Sequence, residues 1–268
     1  RQLSTNSRTA AKVSVVEFSP RLLMGADTDL VDIMVKSVSS RLEDVMLESK
    51  VLDISEQDGE GFTVRITHDG EEFERDYHRV LVAIGRRPNT EDIGLENTKV
   101  VVDEHGFVAT DSSCQTDEPG IFAIGDITHG PMLAHKASRE AKVAAEIICG
   151  AQAEFDNRAI PAVVYTDPEI AWTGLTEREA EAEGRAVTVG RFPLSALGRA
   201  RTLDRTDGMV KVISEPENDL ILGMGIVGPH ASELIAEGTL AIEMGATLED
   251  LVATIHPHPT LSEAVQEA

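Results

Sequence analysis

The sequence is short of lysine, of cysteine and of long apolar runs. Only seven of its 24 basic residues are lysines, against 47 acidic residues, and the formal net charge is −23. This charge argues against nucleic acid as a partner, because binding requires cationic side chains that displace counterions from the phosphates. Scarce lysine and abundant carboxylates favour a halophilic protein, whose surface repulsion strong salt would screen. An ordinary acidic soluble protein is the alternative.

The two cysteines, Cys114 and Cys149, lie far apart and outside any C-x-x-C pattern. Two isolated thiols argue against a disulfide scaffold or a zinc site and favour a reducing compartment. No apolar run approaches the roughly 18 residues that a membrane span needs, and the polar first eight residues show no signal peptide. We therefore expect a cytoplasmic protein that does not enter a membrane. Because the chain begins at Arg1 without methionine, we also expect it to be the C-terminal part of a longer protein.

Residues 223–228 spell the dinucleotide-binding pattern G-x-G-x-x-G after an apolar run. A functional phosphate loop needs a helix that opens at the third glycine and an acid at the end of the next strand. Here Pro229 and His230 follow Gly228, and the acid twenty residues beyond Gly223 is Glu243, which falls inside a helical pattern. The motif match is therefore interpreted as coincidental, and residues 220–227 are predicted to form one strand.

The first part of the chain is predicted to form alternating strands and helices. Residues 13–17 predict a short strand ending in Glu17, and residues 27–43 carry apolar side chains at helical spacing. Residues 63–67 and 72–75 predict a hairpin around Gly70. Continuous apolar runs at 79–85 and 120–125 predict two buried strands of a parallel sheet.

A helix is predicted at 132–150, ending at Gly150, and the pattern changes at Ile160. The pattern predicts an α/β part followed by an α+β part. The expected domains are residues 1–84, 85–157 and 158–268. Beyond Ile160 the sequence predicts strands at 187–192, 208–214 and 221–227, and helices at 176–182 and 232–244.

Two acids follow predicted strands and are candidates for nucleotide binding. Asp126 comes directly after Gly125, at the strand end where α/β proteins bind ligands, and could accept a hydrogen bond from a polyol. A helix beginning near Leu133 would direct its N-terminal N–H groups toward the same crevice. Glu17 stands where a Rossmann unit accepts hydrogen bonds from the ribose of NAD. The alternatives are an aspartate that caps a turn and an ordinary loop acid.

The most specific feature is the C-terminal segment that contains His258 between two prolines. Prolines restrict the backbone around His258, and imidazole is suited to proton transfer near neutral pH. Glu263 could fix the tautomer of His258. Alternatively, Glu263 closes a helix capping box with Thr260, which the pattern alone favours. A metal site at His256 and His258 is the least favoured interpretation, because the side chains of alternate residues on an extended segment diverge.

Seven stretches, in order along nearly the whole chain, resemble the C-terminal portion of the dihydrolipoamide dehydrogenase family within the flavoprotein disulfide reductases. The stretches are residues 15–17, 83–89, 121–126, 132–137, 161–174, 228–233 and 256–263.

The resemblance implies the fold class α/β plus α+β, with partial NAD-binding and FAD-binding Rossmann-like domains followed by an α+β dimerisation domain. It also implies a homodimer that binds FAD and NAD and passes electrons from dihydrolipoyl groups through a dithiol and FAD to NAD. The partner would be the lipoyl domain of a 2-oxoacid dehydrogenase complex. His258 would be the acid–base group for the partner subunit's dithiol, oriented by Glu263. The implied cofactor-binding residues are Glu17 and Gly85 for NAD, Asp126 for the ribityl or phosphate region of FAD, and Met132, Leu133, Ala134 and His135 beside the isoalloxazine.

The sequence also departs from the family pattern. It has neither the first FAD glycine loop nor the C-x-x-x-x-C dithiol, and the NAD glycine loop is missing or altered within residues 1–11. We therefore expect an incomplete fragment that does not complete the reaction alone. The alternatives are a glutathione or mercuric reductase-like enzyme and a non-enzymatic dimerisation module. Glu17 and Leu261-Ser262 favour the NAD-linked lipoamide member, and the absence of a C-terminal cysteine pair argues against a mercuric reductase.

Overall fold

The computed structural model describes residues 11–59 and 61–268. The chain divides into two compact units. One unit comprises the residues up to Leu81 together with Pro161–Ala268, and the other comprises Val82–Ile160. No helix of the described residues is both long enough and apolar enough to cross a membrane.

The first unit begins with a parallel strand pair and a three-stranded antiparallel sheet. Strand β1 pairs with β2, and the sheet has the order β3-β4-β5. The predicted hairpin and the strand before Glu17 are confirmed, whereas β3 was not predicted because all eight of its residues are exposed and lack a clear apolar alternation. The elements are β1 (Ser14–Val16), α1 (Thr28–Val38), β2 (Asp44–Met46), β3 (Lys50–Gln57), β4 (Gly61–His68) and β5 (Glu71–Tyr77).

The second unit contains one long helix, α2 (Ala134–Ile148), and many turns. The helix prediction is confirmed, and Gly150 after it adopts φ 84°. The two predicted buried strands are wrong. Residues 79–85 pair with no strand of the described chain, and Leu81 and Ile84 are more than 90% exposed. Phe122 of the second run makes only an isolated bridge to Gln115. Apolar runs become buried strands only where neighbouring backbones pair with them.

The remainder of the first unit is a five-stranded antiparallel sheet of order β6-β7-β10-β9-β8. Helix α5 packs on the central strands β7 and β10. The strands and helices predicted beyond Ile160 are confirmed, and so is the predicted α+β character. The elements are β6 (Ala162–Val164), β7 (Glu169–Gly174), α3 (Glu177–Glu183), β8 (Thr188–Pro193), α4 (Gly198–Thr202), β9 (Met209–Ser214), β10 (Ile221–Gly228), α5 (Ala231–Met244), α6 (Leu248–Ala253) and α7 (Glu263–Gln266).

The G-x-G-x-x-G segment forms β10, the central strand of this sheet, so its interpretation as a strand is confirmed. A Cβ on Gly223 would overlap the carbonyl of Leu175, and one on Gly225 would meet the side chain of Leu30. The glycines therefore permit close packing of neighbouring backbone and of α1.

Helix α1 joins this sheet through an apolar cluster and a buried ion network. Leu30 and Met34 pack with Ile170 and Val227. The amine of Lys211, a residue that is 1% exposed, lies 2.6 Å from the Asp27 carboxylate and 2.7 Å from that of Asp29. Helix α1 is thus held on the antiparallel sheet by both apolar and charged contacts.

Candidate functional site

Arg86 joins two of the sequence-predicted flavin elements in the second unit. Its guanidinium donates to Asp126 Oδ2 at 2.9 Å and also to the carbonyl oxygen of Met132. Gly85, immediately before it, has φ 114° and an open environment where a Cβ would stand. The structure therefore links Asp126 and Met132 through Arg86, and Gly85 is the neighbour of Arg86 in the chain. Arg86 was not predicted from the sequence, although its place between Gly85 and Pro88 in a stretch of the family resemblance was a signal.

Asp126 lies in a 3₁₀ turn, Gly125–Ile127, that precedes α2. Gly125 has φ 79°, and a Cβ there would stand 3.3 Å from the Ala137 side chain. Glycine is required at this position because the backbone is left-handed and the turn approaches α2 closely. The Asp126 side chain remains about half exposed, so it can contact a ligand.

Met132, Leu133, Ala134 and His135 surround the N-terminus of α2. Leu133 is the N-cap residue and provides no side-chain hydrogen bond. The first-turn N–H groups of this 15-residue helix are therefore not capped by that residue, and the helix dipole favours an electron-rich ligand group at this end. Met132 and Leu133 are half-buried, whereas Ala134 and His135 are exposed. This end of α2 therefore lies beside the Asp126 turn without a side-chain cap from Leu133.

A buried ion pair lies between the Asp126 turn and α2. The amine of Lys136 contacts Glu140 Oε1 at 2.9 Å and Thr128 Oγ1 at 2.8 Å. Glu140 Oε2 accepts the N–H of Gly125 at 2.7 Å. This cluster was not predicted from the sequence. The i,i+4 spacing of Lys136 and Glu140 was a signal, but such pairs usually lie on solvated helix faces.

Glu17 follows β1 in the first unit and is half-buried. Its carboxylate accepts the N–H of Ser19 at 2.7 Å, and its backbone carbonyl accepts the N–H of Ser49 at 2.9 Å. The carboxylate thus stands at a strand end, in a loop that its own hydrogen bonds shape. Residues 1–10, where most of the altered glycine loop would fall, lie outside the described residues.

His258 and Glu263 form a hydrogen-bonded pair at the C-terminus. His258 Nδ1 lies 2.8 Å from Glu263 Oε1, and Glu263 Oε2 accepts the N–H of Thr260 at 2.8 Å. The Glu263 carboxylate therefore pairs with His258 and also forms half of the capping box. Thr260 Oγ1 donates to the Pro257 carbonyl at 2.7 Å, and the N-cap residue of the last helix is Ser262, which provides no side-chain cap.

The electrostatics of the pair suit a group that exchanges protons. The N–H of Thr260 and the imidazole of His258 both lower the pKa of Glu263. Glu263 is therefore ionised at neutral pH and can stabilise a positive charge on the imidazole. The His258 side chain is 78% exposed, which makes the ring accessible to a reacting group.

His256 is held differently from His258. Its Nε2 lies 2.7 Å from Glu237 Oε1 on α5, and its Nδ1 lies 2.9 Å from the Thr254 carbonyl. Burial lowers the pKa of His256, but the hydrogen bond and charge of Glu237, together with the Thr254 carbonyl, outweigh this effect and raise it. In the described part of the chain, no three His, Cys, Asp or Glu residues are grouped as metal ligands. His256 therefore anchors the segment that presents His258.

Cys114 is the buried thiol of the second unit. Its Sγ lies 3.7 Å from the Glu140 carbonyl. Burial, and then the charge of Glu140, raise the pKa of Cys114. A thiol with a raised pKa forms little thiolate and is a poor nucleophile.

Comparison with models of protein families identifies the family of this chain. The family model described as "Pyridine nucleotide-disulphide oxidoreductase" matches residues 4–141, and the model for the dimerisation domain of that family matches residues 160–268. The chain belongs to the pyridine nucleotide-disulphide oxidoreductase family.

Curated relatives of this family member include dihydrolipoyl dehydrogenases. One from Thermus scotoductus is 46% identical over 262 residues, which are 97% of this chain and 57% of the relative. Dihydrolipoyl dehydrogenase 2 from Haloarcula marismortui is 45% identical, over 98% of this chain and 56% of the relative. The chain thus spans a little over half the length of these relatives.

Solved structures show the same architecture. LpdA from Mycobacterium tuberculosis matches with a TM-score of 0.87 and 28% identity, over 96% of this chain and 56% of that one. The HOCl-induced flavoprotein disulfide reductase RclA from Escherichia coli matches with a TM-score of 0.84 and 25% identity, over 95% of this chain and 58% of that one. The predicted fold class, α/β plus α+β with a dimerisation domain, is confirmed.

Proposed function

We propose that the gene product containing this chain is a dihydrolipoyl dehydrogenase that oxidises dihydrolipoyl groups with NAD through a dithiol and FAD. The observation that carries the proposal is the His258–Glu263 pair, a hydrogen-bonded imidazole and carboxylate on an exposed C-terminal segment. Cys114 and Cys149 lie in separate surroundings, one buried and one exposed. The proposed dithiol is therefore not formed by them, and this chain alone is proposed to be inactive.

Asp126 and residues 132–135 are proposed to bind the flavin. When bound, FAD links two-electron oxidation of a dithiol to reduction of NAD. Asp126 would accept hydrogen bonds from the ribityl or phosphate region. The first turn of α2 would direct its N–H groups toward the electron-rich edge of the ring, with Met132, Leu133, Ala134 and His135 bordering it. The lack of a side-chain cap from Leu133 and the half-exposed Asp126 carboxylate support this assignment.

Glu17 is proposed to bind the ribose of NAD, and Gly85 is proposed to lie beside the nucleotide. A carboxylate at a strand end accepts hydrogen bonds from the ribose hydroxyls of NAD, whereas a 2′-phosphate would require a cation there. Glu17 has this position after β1. Gly85 would lie beside the nucleotide, and its open surroundings where a side chain would begin support a close approach.

His258 is proposed to act as the acid–base group. Nδ1 faces Glu263, so Nε2 is the ring atom that would accept a proton from a dihydrolipoyl thiol and return one to a thiolate. The Glu263 carboxylate would stabilise the imidazolium formed in between, as a carboxylate does behind other catalytic imidazoles. Glu263 is itself held by Thr260, which fixes the direction of the ring.

A homodimer is proposed as the working assembly, with His258 serving the partner subunit's dithiol. The match to the family's dimerisation domain supports this assembly. Large apolar side chains are exposed on or near α5 and α6, and a second copy would bury them. These residues are Leu240, Met244, Val252 and Ile255, each at least 60% exposed.

We further propose a cytoplasmic, halophilic protein that acts on the lipoyl domain of a 2-oxoacid dehydrogenase complex. Relatives from Haloarcula, Haloferax and Halobacterium, together with the net charge of −23, support the halophilic assignment.

The test is the substrate and cofactor preference of the gene product. Dihydrolipoamide with NAD should produce NADH in proportion to bound flavin. Oxidised glutathione with NADPH, and mercuric ion with NADPH, should produce little consumption of the nucleotide. Turnover with glutathione or mercuric ion, and none with dihydrolipoamide, would contradict the proposal. Isolated residues 1–268 should show no dihydrolipoamide oxidation.

A further inference from the structure

The turn that carries Asp126 is clamped at both ends by two side chains from one helix. Gly125 opens the turn and donates its N–H to Glu140 Oε2 at 2.7 Å, while its carbonyl lies 3.3 Å from the Lys136 amine. Thr128, just beyond the turn, has its hydroxyl 2.8 Å from Lys136 Nζ and 3.0 Å from Glu140 Oε1. Each of these groups therefore has a partner within the cluster.

The clamp is almost completely buried. Lys136 is 3% exposed, Glu140 5% and Thr128 2%. Removing two charges from water costs free energy that their attraction often does not repay, and an apolar pair of the same volume is frequently as stable. A buried pair is thus a weak source of stability. Its distinctive contribution here is geometric, because it fixes both peptide groups of Gly125 and the hydroxyl of Thr128.

Both clamp residues lie on α2, whose N-terminus is the other half of the proposed flavin site. The same rigid helix therefore sets the position of the Asp126 turn and that of the first-turn N–H groups. Arg86 also links the turn to the residues before α2, through Asp126 and the Met132 carbonyl. Groups that bind a ligand precisely must be held by supporting contacts of this kind.

We propose that Lys136 and Glu140 are positioning residues, which hold the Asp126 carboxylate at a fixed distance from the N-terminus of α2 so that both can engage one flavin. The ligand in this inference rests on the proposed function. The clamp itself rests only on the contacts within the second unit.

The first test uses the gene product with the double substitution Lys136→Met and Glu140→Leu, which removes both charges without leaving one unpaired. The matched control is Lys142→Met with Glu146→Leu, a second i,i+4 pair that is exposed on the same helix. FAD affinity is measured by flavin fluorescence and folding by circular dichroism. The clamp variant should fold and bind FAD about tenfold more weakly or worse, since buried Gly125 and Thr128 groups lose their partners. The control should bind within about twofold of wild type.

Asp126→Asn separates positioning from a general structural role. If the clamp acts through Asp126, adding Asp126→Asn to the clamp variant should cost much less affinity than the same substitution costs in wild type. If Asp126→Asn lowers FAD affinity by the same factor in the clamp variant as in wild type, the proposal is overturned. Unchanged FAD affinity in a folded clamp variant would also overturn it. If the double variant does not fold, Thr128→Val, which removes only the hydroxyl, should still weaken FAD binding measurably, and unchanged affinity would again overturn it.

Hydrogen exchange at the Gly125 amide distinguishes failure of this inference from failure of the proposed function. In wild type without flavin, this amide should exchange slowly, and in the clamp variant much faster. Equal exchange rates would overturn the clamp. A wild-type protein that binds no FAD but shows the exchange difference would contradict the proposed function and leave the clamp standing.

Discussion

The guanidinium of Arg86 lies 2.9 Å from Asp126 Oδ2 and donates as well to the Met132 carbonyl. One side chain thus ties the Asp126 turn to the residues that precede α2. Because both partners of the ion pair are about half exposed, the contact should contribute less than about 1 kcal/mol to the free energy of unfolding. Its main effect should be to fix the position of the Asp126 turn relative to the residues that precede α2.

Arg86→Ala in the gene product should therefore weaken FAD binding about three- to tenfold and change the melting temperature little. The measurement is FAD titration alongside a thermal scan. Arg87→Ala is the matched control, because Arg87 is 80% exposed and pairs with Glu91 instead. Equal FAD affinity in both variants would contradict the role of Arg86.

Replacing Gly223 by alanine tests the interpretation of the glycine motif. A Cβ there would overlap the Leu175 carbonyl in the centre of the sheet, so Gly223→Ala should lower the free energy of unfolding by at least about 2 kcal/mol. Gly198→Ala is the control, since space is open at this helical position and alanine should be neutral or slightly stabilising. Urea unfolding measures both. A stable Gly223→Ala protein with reduced nucleotide affinity would restore the phosphate-loop interpretation.

The His256–Glu237 pair should make stability depend on pH. Because folding raises the pKa of His256, the pair's stabilisation is fully present below the unfolded value of about 6.5 and is lost as pH rises through the folded value. Glu237→Gln should therefore cost about 1 kcal/mol in urea unfolding at pH 5.5 and less at pH 8.5.

Glu183→Gln, which changes an exposed carboxylate on α3, provides the comparison and should have the same small effect at both pH values. A cost of Glu237→Gln that grows with increasing pH would contradict the pairing.

The halophilic proposal predicts that molar KCl raises the melting temperature by several degrees, because salt screens the repulsion among surface carboxylates. The comparison is a variant with three exposed acids of the β3–β5 sheet changed to glutamine: Glu56, Glu71 and Glu72. Its melting temperature should rise less steeply with KCl. A wild-type melting temperature that stays level or falls with KCl would count against halophilic adaptation.

Local patterns predicted the elements whose partners are close in sequence or whose periodicity is clear. The β4–β5 hairpin and β10 are examples, and for β10 the residues after Gly228 argued against a phosphate loop. The runs at 79–85 and 120–125 were predicted wrongly because apolar composition reports a tendency toward burial. It does not report whether another strand is available to pair.

The site was predicted in part for a similar reason. His258 and Glu263 are five residues apart, so their motif contains the contact that the structure shows. Arg86 and Asp126 are 40 residues apart, and their contact depends on the folding of the second unit. Lys136 and Glu140 lie close in sequence, but only the fold shows that their side chains are buried.

The most direct test of the proposed function is dihydrolipoamide oxidation by the gene product carrying His258→Gln. Loss of a general acid–base group should lower kcat by about 10²–10⁴-fold, while the bound FAD content stays at the wild-type level. His105→Gln, which changes an exposed histidine of the second unit, should leave kcat unchanged. A His258→Gln enzyme with full flavin content and the wild-type kcat would contradict the account.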